Sequence, residues 1–162
     1  MAPQESPEWI IDAVTAGGGH VVEPEAAEAL VWTNPRRPDA LEDLLESNEN
    51  IEWVQLPYAG VENFIHLVDT DRTWTCGKGV YAEPVAELAL GLALAGMRGI
   101  GHYAAATAWT GPIGRNLYGS RVTILGGGGI TDSLLRMLQP FDCHITVVRT
   151  RVQEMDGADE VL

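Results

Sequence analysis

Basic residues are scarce in this chain. Only 10 lysines and arginines stand against 23 aspartates and glutamates, which gives a formal net charge of −13 at pH 7. DNA, RNA and anionic membrane surfaces repel such a protein, so this charge argues against a nucleic-acid partner and against a membrane partner. The simplest interpretation of the charge is that an acidic surface keeps the protein soluble.

The chain has only two cysteines and no long hydrophobic run. Cys76 and Cys143 lie far apart, so they form neither a disulfide framework nor a metal-ligand spacing, and they predict a reducing compartment without a metal site. The longest apolar run, residues 85–97, contains Glu87 and is too short to cross a bilayer. The first residues are polar and lack the basic region of a signal peptide, so we expect a cytoplasmic protein.

The 162 residues alternate between helical and strand patterns. Helices are predicted over residues 7–16 with Ser6 as the cap, from a cap at Asp39 onward, over residues 61–67 and over residues 84–108. Short strands are predicted over residues 20–22, 29–32, 51–56 and 73–76. The first half of the last helix is almost wholly apolar, which predicts burial on most of its sides.

This alternation predicts an α/β protein with parallel sheets. A flavodoxin-like half, residues 1–82, is expected to precede the start of a Rossmann parallel sheet, residues 83–162. Only two strands are recognised in the second part, whereas a complete dinucleotide-binding sheet has about six. Because uncovered sheet edges are normally paired, either the chain is a fragment, incomplete at its C-terminus, or another chain completes it.

Residues 121–149 are the most informative segment. Two β-branched runs flank four consecutive glycines and a stretch with helical spacing. This is the pattern of a dinucleotide-binding βαβ unit, in which a helix N-terminus holds a pyrophosphate. An ordinary glycine-rich connector is the alternative, and the flanking strands and helix favour the binding motif.

The glycine motif falls on residues 126–131. Gly126 would allow a tight turn, and Gly128 would let the main chain approach a phosphate, with Gly129 and Ile130 as intervening residues. Thr131 replaces the third glycine, which normally permits close packing of helix on strand. Its hydroxyl is also a candidate ligand for a phosphate.

The residue at the end of the second strand indicates the cofactor. An acidic side chain about 20 residues beyond the glycines binds the ribose 2′-hydroxyl of NAD. Arg149 stands at that position, followed by Thr150 and Arg151. A guanidinium pairs with a 2′-phosphate that a carboxylate would repel, so NADP is favoured, with NAD as the alternative. Two arginines at a solvated strand end are the simpler interpretation.

Three stretches together resemble the D-isomer-specific 2-hydroxyacid dehydrogenases, in that family's order and spacing. They are Val-Gln-Leu-Pro-Tyr-Ala-Gly-Val-Glu-Asn at residues 54–63, Gly-Val-Tyr-Ala-Glu-Pro-Val-Ala-Glu at residues 79–87, and the glycine loop at residues 126–131. The resemblance covers essentially the whole chain, but only about the first half of the family's usual length.

The resemblance implies a function and a substrate site. The complete form would transfer a hydride between NADP(H) and a small 2-oxo or 2-hydroxy acid, whose carboxylate would meet the main-chain amides at Tyr58, Ala59, Gly60 and Val61. An ordinary turn is the alternative there. The family's catalytic arginine, glutamate and histidine lie beyond this chain, so its catalytic residues are unknown and the chain alone is expected to be inactive.

Two other functions stay open at the level of sequence. One is a non-catalytic nucleotide-binding or interaction module that kept the first half of the fold. The other is one half of a split enzyme, completed by another chain. Homodimerisation or completion by a second polypeptide is expected, because the sheet edges would otherwise be uncovered.

Overall fold

The structure is a computed structural model and describes residues 7–162. It confirms the α/β class. The chain divides between Lys78 and Gly79 into two compact units. Each unit holds one three-stranded parallel sheet with helices and has its own hydrophobic core.

The first unit is built on strands β1 (Ala29–Val31), β2 (Trp53–Gln55) and β3 (Thr73–Thr75). They pair in that order, all parallel. Its helices are α1 (Glu8–Ala16) and α2 (Pro38–Ser47), with 3₁₀ turns at Pro24–Ala26 and Glu62–Phe64.

The core of the first unit follows the predicted patterns. Leu41 and Leu45 of α2 are buried against Leu30 of β1 and Val54 of β2, because helical and strand periods bring these apolar side chains to one layer. Phe64, in the second 3₁₀ turn, is also fully buried in this cluster. The predicted helix over residues 61–67 is therefore a shorter 3₁₀ turn.

Two local predictions for the first unit are wrong, and a third concerns a residue outside the described part of the chain. Residues 20–22 form no strand, and Val21 and Val22 are exposed, since no neighbouring strand pairs with them among the described residues. Asp39 does not cap α2, because Pro38 already occupies the first turn and no side chain caps the helix. Ser6 lies outside the described residues.

The second unit contains strands β4 (Arg121–Leu125), β5 (His144–Val148) and β6 (Glu160–Val161). They pair in that order, all parallel, which is the order of the first strands in a doubly wound sheet. The sequence predicted only β4 and β5. β6 was missed because two residues are too short to show a period.

Three helices accompany this sheet, namely α3 (Ala82–Met97), α4 (Ile100–Ala105) and α5 (Gly129–Leu138). A 3₁₀ turn, Gln139–Phe141, follows α5. Buried residues of α5 and β5 meet in the core, with Leu135 and Leu138 against Ile145 and Val147.

The prediction of one long, buried helix over residues 84–108 is wrong in two respects. Gly99, at a φ of 65°, breaks it into α3 and α4, and Arg115 donates a hydrogen bond to the carbonyl of Met97 at the break. Burial is also far less than the composition predicted, since Leu88 and Leu92 are 60% and 64% exposed. An apolar face of α3 is therefore uncovered. No helix within residues 7–162 is long and apolar enough to span a membrane.

Candidate functional site

The turn after β4 is set by Gly126. Its φ of 103° lies in a region that favours glycine. Its amide donates a 2.8 Å hydrogen bond to the carbonyl of Val148, the last residue of β5. The glycine loop is therefore fixed at the carboxyl ends of two neighbouring strands, where open α/β sheets bind their ligands.

The N-terminus of α5 follows this turn at once. Gly128 is its N-cap in an extended conformation, and no side chain caps the helix. The amides of the first turn therefore lack intrahelical partners and carry the positive end of the helix dipole. An anion is the natural ligand for such a terminus, and the missing cap side chain leaves room for one.

Thr131 forms a hydrogen bond within the glycine loop. It is only 6% exposed, and its hydroxyl donates a 2.7 Å hydrogen bond to the carbonyl oxygen of Gly126. Because a hydroxyl has one proton to donate, this proton is used within the loop in the structure. Thr131 therefore positions the loop.

A crevice of about 630 Å³ lies beside the loop. It is lined by Gly126, Gly127, Gly128, Val148, Arg149, Thr150 and Arg151. Five of these residues were predicted from the sequence to bind cofactor, and the fold brings them to one place. Gly129 and Ile130 do not line the crevice and belong to the first turn of α5, where Ile130 is 44% exposed.

Gly127 and Val148 are the lining residues that the sequence did not predict. Gly127 fills a free position of the motif, so the motif assigns it no role. A Cβ on Gly127 would lie 2.7 Å from Cδ and 2.8 Å from Nε of Arg149. The arginine side chain therefore lies directly against the glycine loop.

The charge in the crevice is positive although the chain is acidic. Arg149 is partly buried and Arg151 is exposed, and neither forms a salt bridge within residues 7–162. The amide of Arg149 donates a 2.8 Å hydrogen bond to the carbonyl of Leu162, which fixes its main chain beside β6. Guanidinium groups without a carboxylate partner in the described residues, next to a helix N-terminus, carry the charge that pairs with phosphate oxygens.

The predicted substrate-binding residues belong to the first unit. Tyr58, Ala59 and Gly60 lie in an exposed bend just after β2, and Val61 precedes the 3₁₀ turn. The amide of Gly77 donates a 3.2 Å hydrogen bond to the carbonyl of Tyr58, which ties the bend to the segment after β3. The bend therefore lies at the carboxyl end of a strand, as predicted.

Glu62 complicates that bend electrostatically. A Cβ on Gly60 would lie 2.9 Å from Oε2 of Glu62, so a carboxylate lies close to the exposed main chain of the bend. An anionic ligand requires this exposed side chain to swing away, since like charges in contact repel.

Asp69 is the best-connected carboxylate of the first unit. Its oxygens accept hydrogen bonds from the indole of Trp74 at 3.2 Å, the amide of Arg72 at 2.9 Å and the guanidinium of Arg72 at 2.5 Å. Burial raises the pKa of Asp69, but these hydrogen bonds and the charge of Arg72 outweigh burial, so the pKa is lowered. Arg72 also donates to the carbonyl of Ile51, so the cluster is structural.

Similarity to known proteins at the level of sequence is limited. No protein-family model matches the sequence. A curated protein of Corynebacterium melassecola, an uncharacterized protein in the proB 3′ region, is 34% identical over 157 residues, which cover 91% of this chain and 50% of that protein. The chain thus spans about half the length of this curated relative.

Solved structures extend the comparison. A D-isomer specific 2-hydroxyacid dehydrogenase family protein from Aeromonas salmonicida has a TM-score of 0.72 at 24% identity, over 84% of this chain and 44% of that one. A phosphoglycerate oxidoreductase from Rhizobium etli has a TM-score of 0.70 at 24% identity, over 98% and 59%. A D-isomer specific 2-hydroxyacid dehydrogenase from Xanthobacter autotrophicus, solved with NADPH and MES, has a TM-score of 0.65 at 18% identity, over 90% and 46%.

These similarities confirm the predicted resemblance at the level of the fold. The chain has the fold of D-isomer-specific 2-hydroxyacid dehydrogenases over about half of their length.

Proposed function

We propose that this chain binds NADP(H) in the crevice beside the glycine loop. The observation that carries the proposal is Arg149, a guanidinium without a carboxylate partner in the described part of the chain, which lies against the loop at the end of β5. The complete form would be a dehydrogenase that transfers a hydride between NADP(H) and a small 2-oxo or 2-hydroxy acid.

The residues present fit the proposed cofactor. The main chain at Gly126 and Gly128, with the first turn of α5, would hold the pyrophosphate, because unpaired amides and the helix dipole favour anions. Arg149, Thr150 and Arg151 would meet the adenosine ribose and its 2′-phosphate. The nicotinamide, when bound, supplies or accepts the hydride.

Preference for NADP over NAD rests on charge. An acidic side chain at the end of the second strand would bind a ribose 2′-hydroxyl, and here that place is taken by Arg149. A similar fold, that from Xanthobacter autotrophicus, was solved with NADPH. A charge-assisted, bidentate pair with the 2′-phosphate is the interaction that we expect.

The bend at Tyr58, Ala59, Gly60 and Val61 is the proposed substrate site in the first unit. Its exposed main chain follows a strand, which suits a small carboxylate. Hydride transfer also needs an acid or base beside the reacting oxygen, and the three stretches that carry the family resemblance do not include the family's catalytic arginine, glutamate or histidine. We therefore propose that this chain alone binds cofactor without turnover.

A homodimer, or completion by another chain, is proposed from the uncovered apolar surface of the second unit. Leu88 and Leu92 share one face of α3 and are 60% and 64% exposed. β4 lies at the edge of its sheet, and Leu125 at its end is 81% exposed. Faces and edges of this kind mark interaction sites. A half of a split enzyme would present the same surfaces.

A cytoplasmic location is part of the proposal. Cys76 and Cys143 are both free thiols and both partly buried. Unpaired cysteines suit a reducing compartment.

The proposal is tested on the purified chain. NADPH is titrated while its fluorescence is followed, and the same sample is then given glyoxylate or hydroxypyruvate while NADPH absorbance is recorded. We expect saturable binding and no oxidation of NADPH. Absence of binding would overturn the proposed cofactor site, and turnover would overturn the claim that the chain is inactive on its own.

A further inference from the structure

The four glycines of the loop differ in what a side chain would meet at each position. Gly126 has a φ of 103°, which an L side chain rarely adopts. Gly128 is the N-cap of α5, and nothing lies within 4 Å of the place where its Cβ would stand. Gly129 is the first residue of α5, and there a Cβ would make only an ordinary contact, 3.7 Å from Ala82.

Gly127 fits none of these cases. Its φ lies outside the left-handed region, so the backbone itself does not demand glycine. What distinguishes Gly127 is its neighbour, because a Cβ there would stand 2.7 Å from Cδ, 2.8 Å from Nε and 3.1 Å from Cζ of Arg149. These distances are shorter than van der Waals contact, so the arginine occupies the space of the missing side chain.

We propose that Gly127 is a specificity-determining residue: the missing side chain gives Arg149 a fixed position against the loop, from which its guanidinium meets the 2′-phosphate of NADP(H). The inference rests on the proposed function and adds to it the residue that orients the arginine. A long side chain held in one place before binding loses less entropy when the ligand arrives. Gly127 therefore acts on specificity through Arg149.

Replacing Gly127 by alanine should leave the fold intact. The atoms that a Cβ would meet all belong to the movable end of the Arg149 side chain, so the guanidinium can move aside. The substitution should lower the affinity for the ligand, because the side chain of Arg149 would then lose more rotamer freedom when the ligand binds. Ordering one such side chain corresponds to about threefold to tenfold in affinity, and the loss should apply to NADPH and not to NADH.

The experiment compares wild type, Gly127→Ala, Arg149→Met and the double variant. Dissociation constants are measured by calorimetry for NADPH, NADH and adenosine 2′,5′-bisphosphate, and thermal unfolding checks the fold of each protein. Gly128→Ala is the matched loop variant. Its Cβ would meet no protein atom, yet it would stand where the main chain approaches phosphate, so it should weaken NADPH and NADH alike.

We expect Gly127→Ala to weaken NADPH and the bisphosphate by about threefold to tenfold, with NADH changed less than about twofold. In the Arg149→Met background the same substitution should have no further effect. The inference is overturned if Gly127→Ala keeps the wild-type ratio of NADPH to NADH affinity, or if it weakens binding equally in both backgrounds. Failure of the wild-type chain to bind either nucleotide would instead overturn the proposed function, and the inference with it.

Discussion

The hydroxyl of Thr131 is joined to the carbonyl oxygen of Gly126 by a hydrogen bond of 2.7 Å. This bond links the first position of the glycine motif to the last, across the turn from β4 into α5. The third glycine of such motifs is replaced here by a side chain that closes the loop. The loop is therefore held in shape before any ligand is bound.

Thr131→Val should destabilise the chain. Valine keeps the shape but removes the donor to the carbonyl of Gly126, an exposed residue that water can reach, so losing this hydrogen bond costs about 0.5–1.5 kcal/mol. Urea unfolding of wild type and variant measures the loss. Thr131→Ser keeps the hydroxyl and should retain most of the stability. Equal stability of Thr131→Val and wild type would show that the bond contributes nothing.

Arg149→Asp should reverse the nucleotide preference. The guanidinium is replaced by a carboxylate that repels a 2′-phosphate and accepts a hydrogen bond from a 2′-hydroxyl. Charge-assisted hydrogen bonds of this kind correspond to about tenfold to hundredfold in NADPH affinity. Parallel calorimetric titrations with NADPH and NADH measure the change.

Arg136→Asp is the control for that experiment. It makes the same change in net charge on α5, where Arg136 is largely exposed and lies 3.6 Å from Glu83, outside the crevice. NADPH affinity should fall far less than in Arg149→Asp. If the two variants lose NADPH affinity to the same extent, general electrostatics and not Arg149 explains the binding.

Asp69→Asn should destabilise the first unit near neutral pH. The pKa of Asp69 is lowered in the folded protein, so its carboxylate stabilises the fold above its ordinary pKa of 3.8 and loses that contribution as pH falls through the lowered value. The cost of losing hydrogen bonds to a charge is about 1–3 kcal/mol.

The measurement for Asp69 is urea unfolding across the acid range. The stability difference between wild type and Asp69→Asn should be full at neutral pH and shrink below the ordinary pKa. Asp71→Asn, at an exposed neighbour, should change little at any pH. A difference between wild type and Asp69→Asn that does not depend on pH would contradict the assignment of the charge to this cluster.

Leu92→Glu should disrupt self-association. Leu92 is 64% exposed on the apolar face of α3, and burying a leucine in an interface is worth about 1.5–3 kcal/mol, which a carboxylate forfeits. Size-exclusion chromatography with light scattering should show a wild-type dimer and a monomeric variant. A wild-type monomer would argue against the homodimer. Completion by a different chain would then be the remaining proposal.

Local patterns predicted much of the site. β-branched runs, consecutive glycines and helical spacing are determined by neighbouring residues, so β4, α5, β5 and the position of Arg149 followed from the sequence. Gly99 was missed as a helix break because its conformation depends on the segment that packs behind it, where Ile113 lies close to it. Exposure of α3 could not be predicted either, since burial depends on what covers a helix and not on its composition.

The contact between Gly127 and Arg149 could not be predicted from the sequence either, because it depends on how distant segments pack. The two residues are separated by a helix and a strand, and only the parallel pairing of β4 with β5 brings them together. Thr131 was recognised as a departure from the motif, but its partner depended on the turn geometry at Gly126. Long-range pairing therefore supplied the details that residue types alone did not.

The comparison of NADPH binding with NADH binding by the wild-type chain tests the central claim most directly. Calorimetric titration with each nucleotide gives two dissociation constants under identical salt and pH. We predict saturable binding of both, with NADPH tighter by about tenfold or more because only it carries the 2′-phosphate that Arg149 recognises. Equal affinities, or no binding of NADPH, would contradict the account.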